Sequence, residues 1–449
     1  MNRKLITVLI LAIAIISCSQ QDEPIYVADS TATDIENLSP MRTPQDAADI
    51  ANALMSQQRI SGRNARIITA SEAIAVTSQV HSRSEVDTIM YAVNFGDNEG
   101  FVLVSAPTDV EPILAVTEHG DFNSETSLKN EPFQAALSMA KNYVISTSSI
   151  GDLDPSIPPT FDSTRWILKP QGYSKTEKYD MKKFNLTVEW GQGWPENIYA
   201  PNKVAGCVPV AVTQILSFYE KPKLLKYNFP EKDCESENAD WPSLKKHKRI
   251  YLTYEPHDLD IDYHCTSCEA DLQTHIRLGR LVREIGYQCH ATYHHTPPKK
   301  TSAPTSIAIA LLKGILTESE FYFIVEQNAR ALIDSFYKTD CKGIAYVEGW
   351  TNDNEGHVWV ADGAWVTGTI IKRYVYDPDG IIEYRLESVT DKVTRYLHFN
   401  WGYNGNSNGY FLENIYDLSK GSELDNPTYS QSDFNFYKNL SFYWICERN

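Results

Sequence analysis

Long apolar runs are scarce in this chain of 449 residues. After Leu5–Ile16, no second stretch is long enough to cross a bilayer. Positive charge is also in short supply. Lys and Arg number 41 against 58 Asp and Glu, a net charge of −17, which argues against a phosphate-backbone binder and leaves no polybasic membrane patch. Eight cysteines are too few for a disulfide-built scaffold, so each one needs its own explanation. Gly and Pro, 22 of each, are not in excess, and disorder, collagen and coiled coil are excluded for the bulk of the chain. What remains is 42% hydrophobic and 22% charged residues, an ordinary globular composition long enough for two or three domains around a sizeable core.

The N-terminus reads as an address. Arg3 and Lys4 precede the apolar run and Ser17-Cys18 follows it, as in a secretory signal. A small residue before Cys18 resembles the lipobox of bacterial lipoproteins, where the cysteine is lipidated once residues 1–17 are removed. An ordinary signal peptide with an incidental Cys18 is the alternative. Ser19-Gln20-Gln21-Asp22-Glu23 is similar to the acidic export tag of surface lipoproteins in the Bacteroidetes group. The expectation is an exported protein at the outer membrane or cell surface, with residues 18–38 as a polar tether.

Two folded parts follow. Thr43-Pro44 offers an N-cap with Pro at the first helical position, and Ala47, Ile50, Ala51 and Leu54 predict a helix from Pro44 to about Gln57. Tyr91–Phe95 and Phe101–Ser105 flank a Gly-bearing loop and predict a β-hairpin, and Phe133–Ile145 reads as helix. Residues 39–150 thus form a small α+β domain without a nucleophile–base pair. Between Ser146 and Thr164 the chain turns to Ser, Asp, Pro and Thr, which places a domain boundary there or shortly after. Lys175–Lys183 reads as a charged, exposed segment where a protease could cut, though a plain surface loop would look the same.

The chemistry lies in residues 165–449. Cys207 follows Gly206 and opens a run in which Val208, Val212, Ile215, Leu216 and Tyr219 share one helical face. A cysteine at a helix N-terminus meets free N–H groups and the positive end of the macrodipole, which favours its thiolate; a small buried core cysteine is the plain alternative. Gly356-His357 leads into an apolar strand 150 residues downstream of Cys207, a spacing suited to a thiol and its imidazole base. Tyr396–Asn400 is a further strand, whose Asn400 could orient that imidazole by accepting its second N–H.

In order and wording, these pieces resemble the streptopain-type, papain-like cysteine peptidases. The resemblance is carried by Trp190-Gly191-Gln192, Ala205-Gly206-Cys207-Val208-Pro209-Val210-Ala211-Val212-Thr213-Gln214-Ile215, Gly356-His357-Val358 and Asn400-Trp401-Gly402. Upstream, Tyr91–Ala106 is similar to the family's inhibitory propeptide, and Tyr293, Ser302 and Ala303 resemble a loop on the active-site side. The resemblance implies an α+β papain-like fold, a helical half with Cys207 and an antiparallel β half with His357 and Asn400, preceded by an inhibitory domain. It implies Cys207 as nucleophile, His357 as general base, Asn400 beside the histidine and Gln192 as oxyanion donor. Trp401, Tyr403, Gly356 and Tyr293 would line the substrate cleft. Tyr403 stands where the family has a second Trp, Asn404 replaces a glycine, and Glu355 precedes Gly356 where the family has glycine.

Those residues imply a latent endopeptidase acting through a thioester, with no metal or cofactor. Its expected partners are protein substrates, its own propeptide and an activating protease. A non-enzymatic binding or inhibitory module on the same fold is the rival reading. Ile370–Arg395 reads as a projecting β-hairpin. A disulfide among Cys234, Cys265, Cys268, Cys289, Cys341 and Cys446 is favoured over zinc, because no second C-x-x-C or regular H-x-x-x-H completes a metal pattern. His398 is expected to be structural or cleft-lining, and Asp362 to sit in core or turn.

Overall fold

Thr43 starts the first helix as its side chain allows. Its Oγ1 accepts from the Asp46 N–H at 3.2 Å, while the Asp46 carboxylate takes the Thr43 N–H at 2.6 Å. The helix that follows, α1 (Pro44–Gln57), turns Ala47, Ala48, Ala51 and Leu54 into the core. This computed structural model describes residues 41–57, 67–79, 86–96, 98–148, 172–230, 235–247, 272–338, 341–351, 356–376, 384–416 and 437–448. The signal, Cys18, the tether and most of the expected domain boundary lie outside the described residues.

The N-terminal part is a four-stranded antiparallel sheet, β1 (Ala73–Gln79), β2 (Val86–Asn94), β3 (Phe101–Ser105) and β4 (Ile113–Thr117). Alongside it lie α1, a short α2 (Glu125–Lys129) and α3 (Glu131–Thr147). The expected hairpin is the β2–β3 pair, closed by Phe95 N–H to the Gly100 carbonyl at 2.8 Å. Gly100 has φ +96°, and a Cβ there would stand 2.3 Å from the Thr117 carbonyl oxygen, so only glycine fits.

The C-terminal part begins with β5 (Gly172–Phe184) and α4 (Cys207–Tyr219). A small hairpin, β6 (Leu224–Tyr227) and β7 (Glu235–Asn238), precedes α5 (Trp241–Leu244) and α6 (Leu272–Gln288). A second hairpin, β8 (Thr292–His294) and β9 (Lys300–Ser302), leads to α7 (Thr305–Ile315), β10 (Phe321–Glu326) and α8 (Ala329–Tyr337). The remaining strands are β11 (Cys341–Thr351), β12 (Gly356–Tyr376), β13 (Tyr384–Asn400), β14 (Gly409–Leu412) and β15 (Tyr437–Arg448).

One sheet joins the two parts. Its order is β1-β2-β3-β4-β14-β13-β12-β11-β15-β10, with β5 also paired to β12. The junction is β4 against β14, antiparallel, with Gly409 opposite Thr117, Tyr410 opposite Val116 and Phe411 opposite Ala115. Period-2 alternation then divides the core. Trp359 and Ala361 of β12, with Ala345 and Val347 of β11, face the core shared with α3 and α8. Val358 and Val360, with Ile344 and Tyr346, face the helices α4, α6 and α7. A helical half therefore covers one face of an antiparallel β half, in agreement with the expected α+β architecture.

Three expectations need correction or completion. Lys175–Lys183 is not a loose loop: it is the body of β5, in register with β12 from Gly363 opposite Phe184 to Val375 opposite Gly172. A strand of charged residues reads as loop because apolar alternation is missing. Of the expected hairpin Ile370–Arg395, residues 370–376 and 384–395 lie on the paired arms of β12 and β13, and residues 377–383 lie outside the described residues. Among the cysteines, Cys446 is in a disulfide, but Cys289 is a free, buried thiol, so it drops out of the expected disulfide set. Among the described residues no helix is long and apolar enough to cross a membrane.

Candidate active site

Cys207 is the first residue of α4, after Gly206 as N-cap. Gly206 has φ +96°, and a Cβ there would meet Thr301 Cγ2 of β9 at 2.8 Å, so this approach demands glycine. Pro209 falls in the first turn, where its missing N–H costs no helical bond. The residue as a whole is half-buried, and its thiol is turned inward. Burial pushes its pKa up, opposed by the backbone N–H groups of Val358, Val208 and Cys207 itself; the Glu131 carboxylate pushes it further up. The macrodipole argument from sequence thus loses here to burial and a neighbouring negative charge.

His357, near the start of β12, is 8% exposed and directs Nε2 at the Glu131 carboxylate, 3.5 Å away. Glu131 opens α3 in the N-terminal part. Its position is set by Asn130, whose Oδ1 caps the Phe133 N–H and whose Nδ2 donates to the Asn406 carbonyl at 3.0 Å. Ser127 Oγ donates to Asn406 Oδ1 at 3.1 Å, and Glu118 N–H to the Asn408 carbonyl at 2.8 Å. The loop between β13 and β14 is therefore gripped by the N-terminal part, and that grip delivers Glu131 to His357.

Asn400 does not touch the imidazole in this arrangement. Its Nδ2 donates to the Val188 carbonyl at 2.9 Å, and its Oδ1 accepts from Gln214 Nε2 and Gly402 N–H, each at 3.2 Å. The sheet register explains why: Asn400 lies opposite Val360, three residues past His357 and so on the other face. Trp401 is fully buried against Trp359 and Phe411, with Nε1 donating to the Ser407 carbonyl, and lines no open cleft. Gln192 is half-buried and its side chain meets the Tyr403 hydroxyl, which also faces the Glu131 backbone. Burial is the main cause that pushes the Tyr403 phenol above its ordinary range.

The remaining sequence candidates separate. Gly356 is exposed, and a Cβ there would meet the Trp350 ring at 3.1 Å, so the partly exposed indole lies across it. Tyr293 stands at α6, its hydroxyl against Gly286 and its ring under the Arg283 guanidinium at 5.0 Å. Yet the β8–β9 hairpin does abut the site, through Thr301 on Gly206 and Asn202 Nδ2 bonded to the His294 and Lys300 carbonyls. His398 is structural: its Nδ1 lies 2.6 Å from Asp362 Oδ1, both side chains enclosed, and its Nε2 is 3.6 Å from the Glu118 carboxylate.

Sequence reasoning missed Glu131 and gave Gln214, although inside the nucleophile motif, no role of its own. Gln214 sits seven residues after Cys207, two helical turns along the same face, and that spacing was readable. Its amide bridges the Trp190 carbonyl and Asn400 Oδ1. Glu131 carried no local signal. For metal, one group among the described residues brings donor atoms within 4.8 Å of one another, Glu118, His119 and Glu189, across the two parts.

Known proteins bear on this geometry. Residues 190–411 match the peptidase C10 family and residues 39–144 match the Spi protease inhibitor family. No curated protein matches. Among solved structures, a mutant prointerpain A fragment from Prevotella intermedia shares 16% identity at a TM-score of 0.46, over 83% of this chain and 97% of that one. The active wild-type interpain A cysteine protease of Prevotella intermedia shares 17% identity at a TM-score of 0.34, over 58% of this chain and 94% of that one. The chain carries a peptidase C10 domain preceded by an Spi-type inhibitor domain as its propeptide, and it is a cysteine peptidase.

Proposed function

We propose that this peptidase is a latent endopeptidase whose propeptide silences it through Glu131. The observation that carries this reading is the Glu131 carboxylate 3.5 Å from His357 Nε2 while its charge also raises the Cys207 thiol. A base engaged by a propeptide carboxylate is not available to the nucleophile, and a thiol pushed up stays protonated at neutral pH. Removal of the propeptide takes Glu131 away and lets His357 turn to Cys207.

Cys207 would then give its proton to His357 and attack the scissile carbonyl as thiolate. The tetrahedral oxyanion is received by the Cys207 N–H and the Gln192 amide. His357 returns the proton to the leaving amine, the C–N bond breaks, and a thioester on Cys207 remains. Water, deprotonated by His357, releases the acyl group and restores the thiol. Asn400 steadies the base of the site through Gln214 and Val188 in the latent form. Export and lipidation at Cys18, and activation by a second protease, complete the reading.

The test is casein hydrolysis before and after limited trypsin treatment, with radiolabelled iodoacetamide in parallel, for wild type and Cys207→Ala. Activity and fast labelling that appear on trimming and vanish in Cys207→Ala are expected. Trimmed wild-type protein that leaves casein intact and labels no faster than a free thiol would overturn the reading.

A further inference from the structure

Beneath the Gln192 loop lies a buried polar pair that touches none of the reacting groups. Gly191 N–H donates to Glu196 Oε1 at 3.2 Å, and the same oxygen lies 3.2 Å from His247 Nε2. Both side chains are fully enclosed. The His275 ring meets His247 edge-on at 4.9 Å and so limits the tilt of that imidazole.

The loop itself is tied on every side. Trp190 Nε1 donates to the His247 carbonyl at 2.6 Å, and the Trp190 carbonyl accepts from Gln214 at 3.0 Å. The Gln192 carbonyl accepts from the Ala205 N–H at 3.0 Å, two residues before Cys207. Gly191 N–H ends on an enclosed carboxyl group, whereas the Gln192 side chain meets the Tyr403 hydroxyl. A carboxyl group in a dry interior is costly, and an apolar contact would pack there at less cost. What the carboxyl adds is direction: an acceptor that fixes the peptide plane between Gly191 and its neighbour, one residue from Gln192.

We propose that Glu196, held in turn by His247, is a positioning residue that sets the Gln192 amide at the oxyanion site. The proposal rests on the reading of Gln192 as an oxyanion donor. Glu196 lies four residues beyond Gln192, and Asn197 N–H closes the intervening turn on the Gly193 carbonyl at 2.9 Å. The turn therefore folds Glu196 back under the residue it supports. Tightening or releasing that one hydrogen bond moves the amide relative to Cys207, and oxyanion stabilisation depends steeply on such placement.

The test uses the full chain after limited trypsin treatment, with four variants: Q192A, E196L, the double variant Q192A/E196L, and E196D. E196L keeps most of the volume but offers no acceptor; E196D withdraws the acceptor by one methylene. Three quantities are read: kcat and KM on a peptide substrate, inhibition by a peptide aldehyde, and the iodoacetamide rate. The aldehyde adduct carries a tetrahedral oxygen, whereas alkylation of Cys207 does not. E196L is expected to lower kcat roughly tenfold to a hundredfold and to weaken the aldehyde in parallel. KM and alkylation should stay within about twofold, and the double variant should be no worse than Q192A alone.

Wild-type kcat in E196L, a parallel loss of alkylation, or full additivity with Q192A would each overturn the proposal. If E196L does not fold, E196D decides: an intermediate kcat loss with normal alkylation supports it, and wild-type kcat overturns it. A Q192A variant with wild-type kcat and aldehyde affinity would instead sink the oxyanion role of Gln192, a separate result from either.

Discussion

Two histidines of the peptidase part each face a glutamate of the propeptide, and they differ in what they keep when it leaves. His398 holds Asp362 at 2.6 Å within its own domain, with Glu118 as an outer neighbour at 3.6 Å. His357 meets Glu131, which is half exposed and belongs wholly to the propeptide. Burial alone would lower the pKa of His398, but Asp362 and then Glu118 override it and push it up to about 10. A histidine with a permanent internal carboxylate stays a cation and serves the fold. A histidine whose carboxylate arrives from a removable domain is free to become a base. The contrast separates a structural imidazole from the one proposed as the base, on neighbouring strands of one sheet.

Substitution of each histidine breaks or sharpens that contrast. His357→Ala should cost trimmed protein at least about 10⁴-fold in casein turnover while its urea midpoint barely moves. A variant that kept turnover would erase the distinction. His398→Gln should do the reverse, with turnover retained and stability reduced by about 3 kcal/mol, because Asp362 is left buried without its cation. Urea unfolding measures it. The pH sign follows from the raised pKa: the His398 contribution is fully present below about 6.5, the unfolded value, and is lost as pH climbs through about 10. Wild type should therefore lose its stability advantage over His398→Gln across that window, as seen in urea midpoints taken at successive pH values.

Glu131→Ala sharpens the other side of the contrast. Without that carboxylate, one of the two upward pushes on the thiol is gone, and iodoacetamide labelling of Cys207 in the untrimmed chain at pH 7 should quicken. An unchanged rate would mean that burial alone silences the thiol. Glu118→Ala should have the smallest effect, below about 1 kcal/mol in the urea midpoint, since Glu118 is 39% exposed and Asp362 remains.

Much of this site was legible in the chain, where chemistry and local structure coincide. Gly206-Cys207 marks a helix start because the close approach of Thr301 allows only glycine, and Gly356-His357 opens a strand whose alternation shows plainly in Val358, Trp359, Val360 and Ala361. Legibility ended where long-range docking decides the contact. Asn400 was expected on the imidazole, but strand register puts it opposite Val360 and turns it to Gln214. Glu131 becomes relevant only after β4 pairs with β14 and Asn130 bonds Asn406. Glu196 and His247 are 51 residues apart, and only the folded core brings them together. β5 was hidden for a different reason: with Lys and Glu along its length, it satisfies the hydrogen bonds of a strand without the apolar rhythm of one.

The β4–β14 junction has a consequence for how the peptidase would be set free. Three residue pairs join the propeptide to Gly409, Tyr410 and Phe411, and at Gly409 even a methyl group would collide with the Val116 carbonyl oxygen at 2.2 Å. A cut between residues 148 and 172 breaks the covalent link but none of these bonds. It turns a tethered inhibitor into a dissociable one, and its hold changes from a fixed local concentration to one set by dilution. Nicked protein should therefore wake more fully when dilute than when concentrated, and whatever destroys the released propeptide would act as a second switch.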